Sequence, residues 1–578
     1  MPALTERFIA VPVAVHPFSQ DDAVVHDRLS GRRVALDRPT VEALINSASL
    51  ATLADHTREL ERRGYQTFEG NSVEKTLRHL VELNLLIAES EVRRRIATTP
   101  LHDQPLAKPL VTVVTHGRTQ NASRLASIFH KLPEPRPQRV MMFDDSVPIA
   151  AADVSALCSV IRVSTHSRVR SFLSFALGPD STLGPATGAN RNRCLLSTAG
   201  NRILSLDDDV HLSDINDALA AAAESISLSA VATHSIEVMG HPSAENGLMG
   251  ASGAGVLQSI DSVVGHSPQQ VLAQSEHIDL SLLTSDMLGR LLDMDARISL
   301  LQFSLVGDHG SEHSRFLLGD PGVAESVRSN PAAYSAAKGT RLYSRHLARN
   351  VITTSDTWMA YAGGIDNSRL CPPFFPFGRR QDLLFSTMQA GHDRPHLRFH
   401  SRLQVVHSPD PPRVAVPESL CRVEYGVCDL VRLIARSRVP IAENLAESEH
   451  LRLMGNHLLA TGELSVRAFR VAIRELLLSD VERQLADAHA NLARGANFCD
   501  EWHRDVEALI ANLEAEFASE TITPPIEYRR AGFTTEAAFL SEFQRHLQLY
   551  GELVYHWPEI WEAARELREA GKLDFSVI

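Results

Sequence analysis

The run Ile203-Leu204-Ser205-Leu206-Asp207-Asp208-Asp209-Val210 constrains this chain more than any other stretch. An apolar strand that ends in three carboxylates delivers them to the carboxyl edge of a sheet, where α/β proteins bind their ligands. Carboxylates gathered there suit a hard divalent cation, which takes oxygen ligands and shares them with phosphate. Such a cation neutralises charge on a departing diphosphate. Just upstream lies Gly188-Ala189-Asn190-Arg191-Asn192-Arg193, whose two guanidinium groups match phosphate oxygens bidentately.

The surrounding pattern is that of an α/β fold. Leu110 to Val114 reads as a short buried strand, Asn121 to Leu132 as a helix, and Val140 to Phe143 as a second strand closed by Asp144-Asp145-Ser146. That rhythm predicts a mostly parallel sheet over residues 101–412. A third strand falls at 202–206. Leu300 to Val306 is a later one, followed by Gly307-Asp308-His309-Gly310, and Arg402 to Val406 is another, ending at His407. The Ala-, Ser- and Leu-rich stretch 213–300 gives no clear element order.

In these motifs the chain resembles a glycosyltransferase of the GT-A fold, in particular the family-2 group. The resemblance implies a Rossmann-like core and a nucleotide-sugar donor. It places Thr115 and Arg118 on the nucleotide and Asp144 on the base, whose ring N–H a carboxylate can accept. It sets Arg191 or Arg193 on the diphosphate, Asp207 on ribose or metal, Asp208 at the variable position and Asp209 on the metal. His407 completes the metal site, with His400 as runner-up, and an imidazole among carboxylates suits Mn2+ better than Mg2+. Where the family usually carries a Glu-Asp pair this chain has Gln381-Asp382, so Asp382 inherits the role of base toward the acceptor. Arg379 and Arg380 would hold it ionised or bind phosphate. Trp358, with Gly363 to Asn367, would floor the acceptor site together with Asp308, and His309 and His313, near Gly307-Asp308, would touch acceptor or sugar. The implied reaction inverts configuration, although retaining enzymes share the metal motif. The rival readings are a nucleotidyltransferase, for which Thr115-His116-Gly117-Arg118 is a poor phosphate loop, and a GT-A domain that only binds.

Residues 1–100 form a module of their own. Ser30-Gly31-Arg32-Arg33 is a turn between two extended segments, a helix follows Pro39, and Leu77, Leu80 and Val81 fall at helical spacing before Leu85-Leu86-Ile87. This order resembles a winged helix and, more loosely, the PqqD-like peptide-recognition modules, which would make the acceptor a peptide; a plain structural domain fits equally. Ser408 to Pro417 reads as a linker. Residues 413–578 are helical, with a pair of helices broken near Gly495 and an apolar face at Leu540, Phe543, Leu547, Tyr550 and Leu553. Packing or homo-oligomerisation is the expected role of this region.

At 578 residues the chain exceeds one compact core. A net charge of −13 argues against a broad nucleic-acid surface. No apolar run approaches a membrane span. Six scattered cysteines without a Cys-x-x-Cys pair, and no secretory leader pattern, point to a reducing cytoplasm.

Overall fold

The computed structural model describes residues 5–65, 72–100, 106–132, 136–148, 151–160, 166–178, 183, 186–212, 225–239, 251–311, 313–390, 396–438 and 445–577. The strands Leu110–Thr115, Val140–Asp144 and Asn201–Asp207 pair parallel, with 110–115 between the other two. Ala362–Asn367 returns antiparallel beside 201–207 and pairs antiparallel again with Arg297–Asp308. Two reversals restore the direction, so 297–308 runs with the first three, and His396–His407 lies parallel to it. Five carboxyl ends therefore share one edge, at Thr115, Asp144, Asp207, Asp308 and His407.

Beyond 396–407 the sheet continues through Asn350–Thr353, Ser225–Ser229 and His277–Leu282, all running the opposite way. The molecule is thus α/β with a mixed sheet, where the strand–helix rhythm predicts a mostly parallel one. Within the central strands the difference arises at Ala362-Gly363-Gly364-Ile365-Asp366-Asn367, a run poor in strand formers whose residues are all buried. A Cβ on Gly363 would lie 2.5 Å from the Leu301 carbonyl oxygen, and one on Gly364 would lie 2.5 Å from the Ile260 side chain. Close packing selects glycine here against strand propensity, and an antiparallel strand results. The stretch without clear order in the sequence holds strands 225–229, Ser235–Val238 and 277–282, with helices Gly253–Val263, Pro268–Leu272 and Ser285–Leu291.

In the N-terminal region, Val13–Pro17, Asp22–Asp27 and Arg33–Asp37 form an antiparallel meander. A second small sheet sets Arg7–Ala10 between Ala51–Thr52 and Leu86–Ala88, with helices around it. This region docks on the start of helix 285–291, where Ser285 Oγ donates to the Ala10 carbonyl at 2.6 Å.

Beyond a short 3-10 turn at Pro417–Cys421, the C-terminal region is helical: Val427–Arg436, Glu447–Gly462, Val466–Arg494, Asp500–Ala518 and Glu536–Glu569 are its long members. Gly495 caps the third of these. The last is stitched to the segment ahead of Asp382. Tyr550 donates to the Pro373 carbonyl at 2.9 Å, Trp557 to that of Cys371 at 2.6 Å, and Trp561 to Asn367 Oδ1 at 3.0 Å. No helix among the described residues is long and apolar enough to cross a membrane.

Asp356 fastens the same region to the sheet. Arg432 approaches it at 3.0 Å, Arg436 also pairs with it, and Thr387 Oγ1 donates to it at 3.0 Å. Burial works against its charge, but the two guanidinium groups outweigh this and hold its carboxyl down at about 2, from 3.8. A depressed carboxylate contributes stability that is present above its unfolded pKa and lost as pH falls through the folded one. Asp356→Asn is therefore expected to cost roughly 2 kcal/mol at neutral pH. Urea denaturation should show the gap between wild type and variant closing as pH falls from about 4 to about 2; a pH-independent gap would discount the ion pairs.

Candidate active site at the carboxyl edge of the sheet

A cavity of about 440 Å3 opens at the shared strand edge. The acid triplet reaches it because the chain turns immediately after Asp207. The two-residue strand Val210–His211 pairs antiparallel with the end of 396–407, Val210 opposite His407, and the Ser408 N–H donates to the Asp209 carbonyl at 2.9 Å. This pairing sets Asp209 beside His407.

Each carboxylate has its own partner. Asp207 accepts from Arg191 at 2.6 Å. Its carboxyl is pushed up to about 6 by burial and by Asp209 and Asp208, against the pull of Arg191. Asp208 accepts from Thr115 Oγ1 at 2.5 Å and pairs with Arg118 at 2.6 Å. Asp209 lies 3.3 Å from His407 Nε2 and 3.7 Å from Arg413. Burial opposes its charge, but His407, Arg118 and Arg413 together hold it down at about 2.

The pair Asp209 and His407 has the chemistry of a metal's donor set. Asp209 Oδ1 is buried, and its neighbour His407 Nε2 stands at 3.3 Å, longer than a good hydrogen bond, so a cation between the two would satisfy both. His407 Nδ1 is 2.6 Å from the Asp308 carbonyl oxygen, which fixes Nδ1 as the donor and turns Nε2 toward Asp209. A backbone carbonyl on the far nitrogen is the usual support of a ligating imidazole. Among the described residues no group of three or more His, Cys, Asp or Glu side chains forms a cage. Two protein ligands suit a Mg2+-like ion that keeps waters and shares substrate phosphates.

The helix Thr187–Ser197 supports this edge. Its polar run is buried throughout, so its groups need partners, and most find them, although Asn190 Oδ1, Arg191 Nε and Arg193 Nη2 have none among the described residues. Asn190 donates to the carbonyls of Thr115 (3.1 Å) and Phe143 (3.0 Å), tying the helix to two strand ends. Asn192 donates to the Phe374 carbonyl at 2.9 Å and accepts the Phe374 N–H at 2.7 Å. These two asparagines are positioning residues that the sequence motif contained but did not distinguish.

Asp382 lines the cavity in the first turn of helix Gln381–Gln389, a position that favours a carboxylate. Oδ2 accepts the Ala360 N–H at 3.1 Å and Oδ1 that of Leu383 at 2.9 Å. The turn before it is tight, with Gly378 at φ 85° and Arg380 at φ 66°. Arg380 is held by Asp429 at 2.8 Å and His313 at 2.9 Å. Burial, with Arg315 and Arg380 adding to it, keeps His313 neutral by pushing its pKa down to about 3.

The structure brings Thr115, Arg118, Arg191, Asp207, Asp208, Asp209, His309, Trp358, Asp382 and His407 to one cavity. Trp358 presents only an edge: it is 1% exposed and donates to the Leu301 carbonyl at 3.0 Å. Asp144, Arg193 and Asp308 do not line it. Asp144 Oδ1 accepts from the Gly117 N–H at 3.0 Å and from Ser146, so it shapes the 115–118 loop. Arg193 donates to the carbonyls of Leu177, Asp144 and Val147. Asp308 is gripped by Arg341 at 2.7 and 3.0 Å. His400 is buried elsewhere, its ring centroid 5.4 Å from that of His234. His116 of the same loop also lines it, with Nδ1 2.5 Å from buried Asp145, and Arg413, which returns from the Pro-rich linker, is a lining residue that escaped the sequence reading. No protein-family model, curated protein or solved structure matches this chain.

Proposed function

We propose that this protein is a glycosyltransferase that moves a sugar from a nucleotide-sugar donor to an acceptor. The observation that carries the reading is the meeting of Asp207, Asp208, Asp209 and His407 with Asp382 in a single cavity. Asp209 and His407 would hold a divalent cation, Mn2+ or Mg2+, whose chemistry when bound is neutralisation of charge on the departing diphosphate. Arg118 and Thr115 fix the Asp208 side of that corner, and Arg191 fixes Asp207. Asp382 takes the proton of the acceptor as the acceptor attacks the anomeric carbon and the sugar–diphosphate bond breaks. Its two backbone N–H contacts fix its direction.

The reading is tested by Mn2+-dependent binding and slow hydrolysis across UDP-, GDP- and dTDP-sugars. Turnover of one donor is the expected result, and silence toward all of them would sink the assignment. On the donor that turns over, Asp382→Asn should lower kcat for transfer by about 10²–10⁴-fold. The donor's dissociation constant should stay within about twofold, because Asp382 acts on the acceptor. Loss of donor binding in that variant would remove Asp382 from the role of base.

A further inference from the structure

Arg379 and Arg413 lie 34 residues apart in the chain, one ahead of helix 381–389 and one in the Pro-rich linker. Both line the cavity, and both reach the Asp308–Gly310 turn. Arg379 Nη2 donates to the Gly310 carbonyl at 2.8 Å. Arg413 Nη1 stands 3.5 Å from Asp308 Oδ1, the same oxygen that accepts the Gly310 N–H at 2.7 Å.

The carboxylates at this corner are already engaged. Arg341 grips Asp308 with two short bonds, and Asp209 lies against His407. Arg413 reaches each of them only at 3.5 and 3.7 Å, beyond a good hydrogen bond. Arg341 and Arg413 thus face Asp308, Arg118 and Arg413 face Asp209, and both carboxylates are buried. A guanidinium fork with no bidentate partner, beside a second guanidinium on the wall of a cavity, is the arrangement that recognises a phosphate.

We propose that Arg379 and Arg413 form a phosphate seat at the cavity corner over the Asp308–Gly310 turn. This inference deepens the donor reading and rests on it for the source of the phosphate. The donor's diphosphate would place its outer phosphate there, next to Asp209; a phosphorylated acceptor would place its own.

The test is calorimetric titration of the full chain with pyrophosphate in excess EDTA, and with inorganic phosphate before and after saturation with UDP and Mn2+. Arg379→Gln and Arg413→Gln should each weaken pyrophosphate at least tenfold while leaving Mn2+ binding, read by electron paramagnetic resonance, within twofold. Asp209→Ala should lose Mn2+ and keep pyrophosphate. If UDP expels inorganic phosphate, the seat holds the donor's diphosphate; if both bind together, it holds the acceptor's phosphate. Wild type that ignores pyrophosphate, or arginine variants that bind it unchanged, would overturn the seat. Failure of the donor reading looks different, with neither UDP nor Mn2+ bound, and leaves the pyrophosphate result to stand by itself.

Discussion

Asp209→Ala is expected to abolish Mn2+-dependent binding of the nucleotide-sugar donor, with a loss of roughly 100-fold or more in metal affinity. Supporting residues alone are worth 10–100-fold at metal sites, and Asp209 is a proposed ligand. The variant removes a buried carboxylate whose Oδ1 faces His407 Nε2 at 3.3 Å. It also takes away the charge facing His407, Arg118 and Arg413. The Arg118 and Arg413 guanidinium groups would then face the His407 ring without that carboxylate between them, so a thermal melt must accompany the binding assay. A native melt with metal affinity lost supports the ligand role. Retained Mn2+ binding, measured on the same folded variant, would remove Asp209 from it.

Gly188→Ala should have the largest effect on the fold. A Cβ at this position would lie 1.8 Å from the Phe375 carbonyl oxygen and 2.8 Å from its carbon. Both are backbone atoms, so no rotamer change relieves the clash. Separating helix 187–197 from the 374–376 segment would break the Ala189–Pro376 hydrogen bond and strain the paired Asn192–Phe374 bonds. Overpacking costs about 1–3 kcal/mol and each bond about 1 kcal/mol, so a loss of roughly 4 kcal/mol is expected. That is a large share of a typical stability of 5–15 kcal/mol. Because the same helix carries Arg191 to Asp207, donor binding should fall with it. A urea midpoint equal to that of wild type would refute the packing argument.

What the sequence made legible was local. An apolar run followed by acids is a strand that carries those acids to its end, and 201–207 does so. Strands 110–115 and 140–144 and helix Thr119–Lys131 follow from short-range apolar pattern in the same way. What stayed hidden depends on distant partners. Strand 362–367 looks like a loop because its glycines are chosen by Leu301 and Ile260, not by strand propensity. Arg413 sits in a linker whose proline content says nothing of where the chain returns. Arg193 and Arg191 are two residues apart in one motif, yet only the three-dimensional neighbours decide that one binds backbone carbonyls and the other an aspartate. Asp308 and His407 end parallel strands 99 positions apart. The contact between the Asp308 carbonyl and His407 Nδ1 belongs to sheet register, which no motif spells out.

The helix 536–569 reaches across to Asn367, Cys371 and Pro373, the stretch that leads to Asp382. In evolutionary terms the tail and the cavity edge are one heritable unit. Recombination that swapped this tail for another would strand three backbone and side-chain acceptors in an apolar interior and unseat Asp382 a few residues later.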